Sequence, residues 1–366
     1  MNSDLPQSST EDLLLASLLD EINSYKWDQF IQGGDVDLGF AFQSHLGLRR
    51  GRNEDRLAVA EVMSLNGDRY KLAIVCDGVG GSKDGDVAAS LTIASVITEL
   101  CRQKARTSLE TILPRLLKAA DRNVRTKLDG SGTTTLSVVL VSPNGQLAAA
   151  NIGDSRIYAW NPGRDVEQIS VDDTMENEFR SLPGNHDALI NAKGLRGRLS
   201  QAIGEAGRLP EELRIKTFGR KSFPGGILLG SDGLWKNSGD FNKVVSNAAS
   251  SSEVVRRSVA LAIWTGGVDN VSVIAIENVD IFGSSLTAKN VNAGAVEIKL
   301  WIGQAMYKFF MPNLQGAGSR RQDKTSKTGV GKKKVPRSAE VAHQMPLTED
   351  DDMRPTIQVS IDNNNS

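Results

Sequence analysis

Four acidic clusters stand beside strand-like runs in the chain: Asn53-Glu54-Asp55, Asp77-Gly78, Asp232-Gly233 and Asp269-Asn270. A strand holds an acid at its end with little freedom, and a following glycine lets the backbone bend so that its own carbonyl can also face a cation. Carboxylates, a carbonyl and waters suit Mg²⁺ or Mn²⁺. Zinc is disfavoured, because the three histidines, His45, His186 and His343, lie in unrelated contexts and Cys76 and Cys101 form no CxxC pair. Any single Asp-Gly is an ordinary turn dipeptide, as Asp129-Gly130 is read to be. The recurrence of acids at strand ends is what points to a site.

Other chemistries find less support. The run Asp77-Gly78-Val79-Gly80-Gly81-Ser82-Lys83 lacks the spacing of a nucleotide phosphate loop, as does Gly329-Val330-Gly331-Lys332. Ser155 and Ser200 have no histidine partner nearby in sequence, and Cys76 sits in an apolar strand where an inert thiol is expected.

The elements that must position the acids are short and β-rich. Strands are expected at Tyr70 to Cys76, Thr134 to Val141, Gln146 to Ile152, Arg156 to Trp160, Ile227 to Gly230 and Val271 to Glu277, several joined by tight turns that make neighbours antiparallel. Two helical patterns lie between the first two. One carries Val87, Leu91, Ala94 and Cys101 on one face, and the other is expected to break or kink at Pro114. Residues 39–279 therefore read as one α+β domain. Residues 1–38 read as an extension with an amphipathic helix, 280–312 as an apolar, aromatic helical extension that docks on a partner or on the domain, and 313–366 as a polar, disordered tail.

At 366 residues, 39% hydrophobic, 24% charged and a net charge of −1, the chain has no bulk attraction to nucleic acid or to an anionic membrane. No stretch is long and apolar enough to span a bilayer, and two cysteines suit a reducing compartment. A cytoplasmic protein is expected.

Read in order, the segments Gly47 to Asp55, Val75 to Gly81, Gly132 to Thr135, Asn151 to Arg156, Leu228 to Leu234 and Asp269 to Ser272 resemble the PPM, or PP2C-type, serine/threonine phosphatases of bacterial type. Leu199 to Gly204 is similar to the segment that follows the family's flap. The resemblance covers about residues 39 to 279. It implies two antiparallel sheets packed as a sandwich between helix pairs, with a pair of Mn²⁺ or Mg²⁺ ions in a cleft at one end.

By that resemblance Asp77 bridges both ions, the Gly78 carbonyl faces one, Asp232 and Asp269 complete the other, and Glu54 and Asp55 hold metal waters. Arg50 matches the phosphate-binding arginine, with Arg49 and Arg52 as solvated neighbours of which Arg49 could substitute for it. Asp154 matches a ligand of a third, weaker ion, whereas Lys236 stands where many relatives carry that site's acid. Val79 stands where many animal members have a histidine. The activity implied is hydrolysis of phosphoserine and phosphothreonine in proteins, opposing a cognate kinase. The rivals are a pseudophosphatase scaffold, against which the intact acids argue, and a hydrolase of small phosphoesters.

Overall fold

Strand-forming runs of Val, Ile, Leu and Ala, cut by glycine turns, supply most of the architecture. The computed structural model describes residues 10–142, 144–161, 163, 166–184, 187–236, 238–239, 241–284, 296–311 and 357–363. In chain order the elements are α1 (Thr10–Ser24), β1 (Ile31–Asp35), β2 (Phe40–His45), β3 (Asp55–Met63), β4 (Arg69–Asp77), α2 (Gly85–Cys101), α3 (Leu109–Leu128), β5 (Leu136–Val141), β6 (Leu147–Ile152) and β7 (Arg156–Trp160). They continue with β8 (Glu167–Gln168), α4 (Met175–Ser181), α5 (Asp187–Ala192), β9 (Lys216–Gly219), β10 (Gly226–Gly230), α6 (Asp232–Trp235), α7 (Phe241–Ser246), α8 (Ser251–Trp264), β11 (Val271–Ile276), α9 (Val279–Ser284), β12 (Val296–Ile302), β13 (Ala305–Met311) and β14 (Gln358–Asn363).

The strands form two antiparallel sheets, ordered β1-β2-β11-β10-β7-β8 and β14-β13-β12-β3-β4-β5-β6-β9. β10 and β11 of the first lie against β3, β4 and β5 of the second, α2 covers β3 and β4 from outside, and α8 covers β2 and β11. This is the expected α+β sandwich. Every residue of β3 is buried, because one face meets the other sheet and the other face meets a helix. Small residues such as Ala88, Ala89, Ser90 and Ala94 let α2 sit deep enough for α1 to pack upon it through Leu14, Leu15, Leu18 and Ile22.

Three expectations change. The helix expected within residues 280–312 is instead, from Val296 to Met311, a β-hairpin whose first strand pairs with β3 through Ile298↔Val62 and Leu300↔Ala60. Val296, Ile298, Leu300 and Ile302 alternate with Glu297, Lys299 and Trp301, a period of two that suits a strand once one edge of β3 is free to receive it. Gly303 makes the turn at φ +60°, and a Cβ there would stand 1.7 Å from the Tyr25 hydroxyl. The aromatic residues Trp301, Tyr307 and Phe309 lie buried in the domain's own core.

Secondly, α3 runs through Pro114 as one helix. A proline in the second turn removes one backbone bond, and the buried stripe Ile112, Leu113, Leu116, Leu117, Ala120 and Val124 outweighs that loss. Thirdly, part of the tail expected to be disordered is strand β14, which pairs with β13 at Val359↔Phe309 and Ile361↔Tyr307. The rest of that tail from 313 to 356, with the basic run at 332–334 and the acidic run at 349–352, lies outside the described residues, as do His186 and His343.

Candidate metal and phosphoester site

The ends of β4, α6 and the turns before β7 and β11 converge on one cleft of about 210 Å³. Among the described residues, Glu54, Asp77, Asp154, Asp232 and Asp269 line it together with Arg50, Lys236 and the backbone of Gly78. Of the residues expected there only Asp55 is missing from the wall. It is fully buried behind the cleft, with Oδ2 accepting from the Ser231 hydroxyl at 2.7 Å and Oδ1 left without a partner. A larger groove of about 730 Å³ beside Gln32, Gln43 and Trp301 gathers no comparable set of acids, so its size does not make it the reactive site.

Asp77 is bolted in place by the Gly132 to Thr135 segment. Its amide donates to the Thr135 hydroxyl at 3.0 Å, and its carbonyl accepts from the Thr135 amide and the Thr134 hydroxyl, both at 2.9 Å. Gly78 follows because nothing larger fits: a Cβ there would lie 2.5 Å from the Gly85 carbonyl carbon and 2.9 Å from the Glu54 oxygen. The loops around Asp269 are stapled by Asn270. Its side chain accepts from the Glu54 amide at 2.8 Å and donates to the carbonyls of Leu46 at 2.8 Å and Arg52 at 3.1 Å.

Two cations face the acids. Arg50 donates to Asp269 Oδ2 at 2.7 Å with its side chain 41% exposed, and Lys236 bonds Asp232 while lying 3.1 Å from Asp154 Oδ2. Arg49 is exposed, and Arg52 pairs with Asp86 outside the cleft rather than standing free. Five carboxylates against two cations leave three negative charges unbalanced. The electrostatic result is as expected: burial first, then Asp232 and Asp55, pushes the Asp77 carboxyl well above its ordinary range. Burial raises Asp55 to about 7 and raises Asp232 and Glu54 as well.

Among the described residues, no three His, Cys, Asp or Glu side chains close around a single point as a finished metal cage. Arg50 and Lys236 instead hold Asp269, Asp154 and Asp232. The donor set nevertheless fits hard divalent cations: it is all oxygen, it carries surplus negative charge, and it includes an unpartnered buried Asp55 oxygen just behind it.

Three site features escaped sequence reasoning. Thr134 and Thr135 fix Asp77, Asn270 joins three loops, and Lys236 reaches Asp154 across the cleft. The threonines stood inside a recognised motif, and Lys236 follows Asp232 at helical spacing, so part of that signal was available.

Residues 49–263 match the model of the family described as Protein phosphatase 2C. A serine/threonine phosphatase from Listeria innocua is 25% identical over 248 residues, covering 64% of this chain and 94% of that protein. The serine/threonine protein phosphatase PstP of Mycobacterium tuberculosis is 29% identical over 257 residues, 66% of this chain and 45% of that one. In fold, the chain is similar to the crystal structure of the phosphatase Stp1 from Staphylococcus aureus, with a TM-score of 0.56 at 22% identity over 68% of this chain and 97% of the other.

Proposed function

The chain belongs to the protein phosphatase 2C family, and from that premise we propose that it removes phosphate from phosphoserine and phosphothreonine in proteins with a pair of Mn²⁺ or Mg²⁺ ions, opposing a cognate kinase. The observation that carries the reading is the convergence of five carboxylates, the Gly78 backbone and Arg50 on one cleft. Asp77, the Gly78 carbonyl, Asp232 and Asp269 would hold the ions, with Glu54 placed for metal waters. Bound there, the ions would acidify a water nucleophile and screen the charge of the ester it attacks.

The chain's own residues do the rest. Thr134 and Thr135 keep Asp77 from turning away, and Asn270 keeps the Glu54 and Asp269 loops at a fixed separation. Asp55, away from the cleft wall, ties β3 to Ser231 rather than holding a water in the open. Arg50 is exposed on one side and paired on the other, so its planar fork can take phosphoryl oxygens while Asp269 restrains it. Gly197 and Leu199, from the segment after α5, also line the cleft, where the polypeptide around a phosphorylated residue would pass.

A cytoplasmic place of action is part of the same proposal, supported by two free, buried cysteines. No described helix is long and apolar enough to cross a membrane.

The experiment is hydrolysis of a phosphothreonine peptide by the full chain with Mn²⁺, with Mg²⁺ and with chelator, beside Asp232→Ala. Metal-dependent turnover lost in the variant is the expected result. Folded protein that retains the phosphopeptide but turns over nothing with either metal would sink the reading.

A further inference from the structure

Lys236 is held in the cleft from several sides. Its amide donates to the Asp232 carbonyl at 3.0 Å, one turn back, which aims the side chain along the same helical face as the Asp232 carboxylate. The ammonium also stands over the Trp235 ring, with Nζ 5.6 Å from the centroid. That ring is held in turn by the Arg156 guanidinium 3.4 Å from its centroid, and Asp172 grips Arg156 through two nitrogens at 3.0 and 2.7 Å. The ammonium thus lands between Asp232 and Asp154, carboxylates from separate elements, lying 3.1 Å from Asp154.

We propose that Lys236 is a built-in stand-in for a divalent ion between Asp154 and Asp232, so that the cleft takes up one ion fewer than its carboxylates could otherwise hold. The inference rests on reading the cleft as a metal site. An ammonium is a compact point charge with three donors, enough to bridge two carboxylates, and being tethered it needs no free ion from solution. A divalent ion entering the same gap would have to displace the lysine or sit beside a like charge. Asp154, expected from the resemblance as a ligand of a third ion, is on this inference a partner of Lys236.

The test counts ions rather than turnover. Full chain is equilibrated with Mn²⁺, and bound metal is obtained from the loss of the free-ion signal in electron paramagnetic resonance, with melting curves to certify folding. Lys236→Asp should bind one Mn²⁺ more per chain than the wild type, and Lys236→Arg the same number as the wild type. Asp154→Asn should leave the wild-type count unchanged but abolish the extra ion of Lys236→Asp. Equal counts in the wild type and Lys236→Asp overturn the proposal. So does loss of an ion in Asp154→Asn alone, a measurement that stands even where Lys236→Asp does not fold. A wild-type hydrolysis assay run alongside separates the two readings: lysine-dependent counts without phosphopeptide turnover would defeat the phosphatase assignment and leave this one standing.

Discussion

Strands β3 and β4 carry a charged cluster near each end, and the two are built on opposite principles. At one end Asp55 and Asp77 lie opposite each other in register, Asp77 in the wall of the cleft and Asp55 buried behind it, and there acids outnumber cations. About 20 Å away along β3, a span given by roughly 3.3 Å per residue, Glu61 lies in register between Lys71 of β4 and Lys299 of β12. Glu61 meets Arg69 at 3.0 Å, Lys299 at 3.3 Å and Lys71 at 3.9 Å, and Arg69 reaches Glu297 at 2.7 Å. Both clusters are buried and both are charged. Only the first is short of cations, and an acid surplus maintained inside a protein points to a place for an ion or a substrate, whereas a cluster whose acids are all paired joins strands.

The contrast is sharpest under substitution. Asp77→Asn should lower turnover of a phosphothreonine peptide by about 10³-fold. The same change should raise the unfolding midpoint measured in chelator, because it removes a buried charge crowded by other acids. Glu61→Gln should do the reverse, costing about 3 kcal/mol in urea unfolding by removing the carboxylate shared by Arg69, Lys299 and Lys71, with kcat per folded molecule unchanged. If Glu61→Gln lost activity at full stability, the division between the two ends would be broken.

pH should discriminate next. Asp55 is raised to about 7 against an ordinary value near 3.8, so between those values the native state holds a proton that the unfolded chain has released. Stability without metal must then fall as pH rises through that window, by about 2 kcal/mol between pH 5 and pH 7. Saturating Mn²⁺ should flatten the slope, since ligand bound only to the native state offsets the loss. A chelated protein whose urea midpoint rises from pH 5 to pH 7 would contradict this. The smallest effect belongs to Lys299→Ala. Its side chain is 31% exposed at the rim of the paired cluster, and its loss should shift the urea midpoint by no more than about 0.5 kcal/mol.

The sequence made the cleft legible because its acids sit at strand ends, where position in the chain and position in space nearly coincide. Asp77, Asp232 and Asp269 stand out by their positions at strand ends, while the two-sheet sandwich came from the family resemblance rather than from the strand pattern alone. What could not be read depends on distant partners. Asp55 and Glu54 are adjacent and look alike, yet alternation turns Asp55 inward to Ser231 and leaves Glu54 at the cleft. The segment from Val296 to Met311 has a strand period in its first half, but its aromatic second half masks the signal, and only the open edge of β3 decides for a hairpin. Pro114 broke nothing because burial along α3 outweighed a local preference.

The late arrival of β12 has a consequence for biosynthesis. β3 finds β4 within a few residues, but its other neighbour begins only at Val296. At roughly 5–20 residues per second, a ribosome that has released Met63 needs on the order of ten seconds to a minute to deliver that partner. Throughout that interval a nascent strand of alternating and apolar residues presents an unpaired edge, the kind of surface that recruits other strands or holding chaperones. The second edge of β3 is therefore closed by a segment that lies beyond the residues matched to its family.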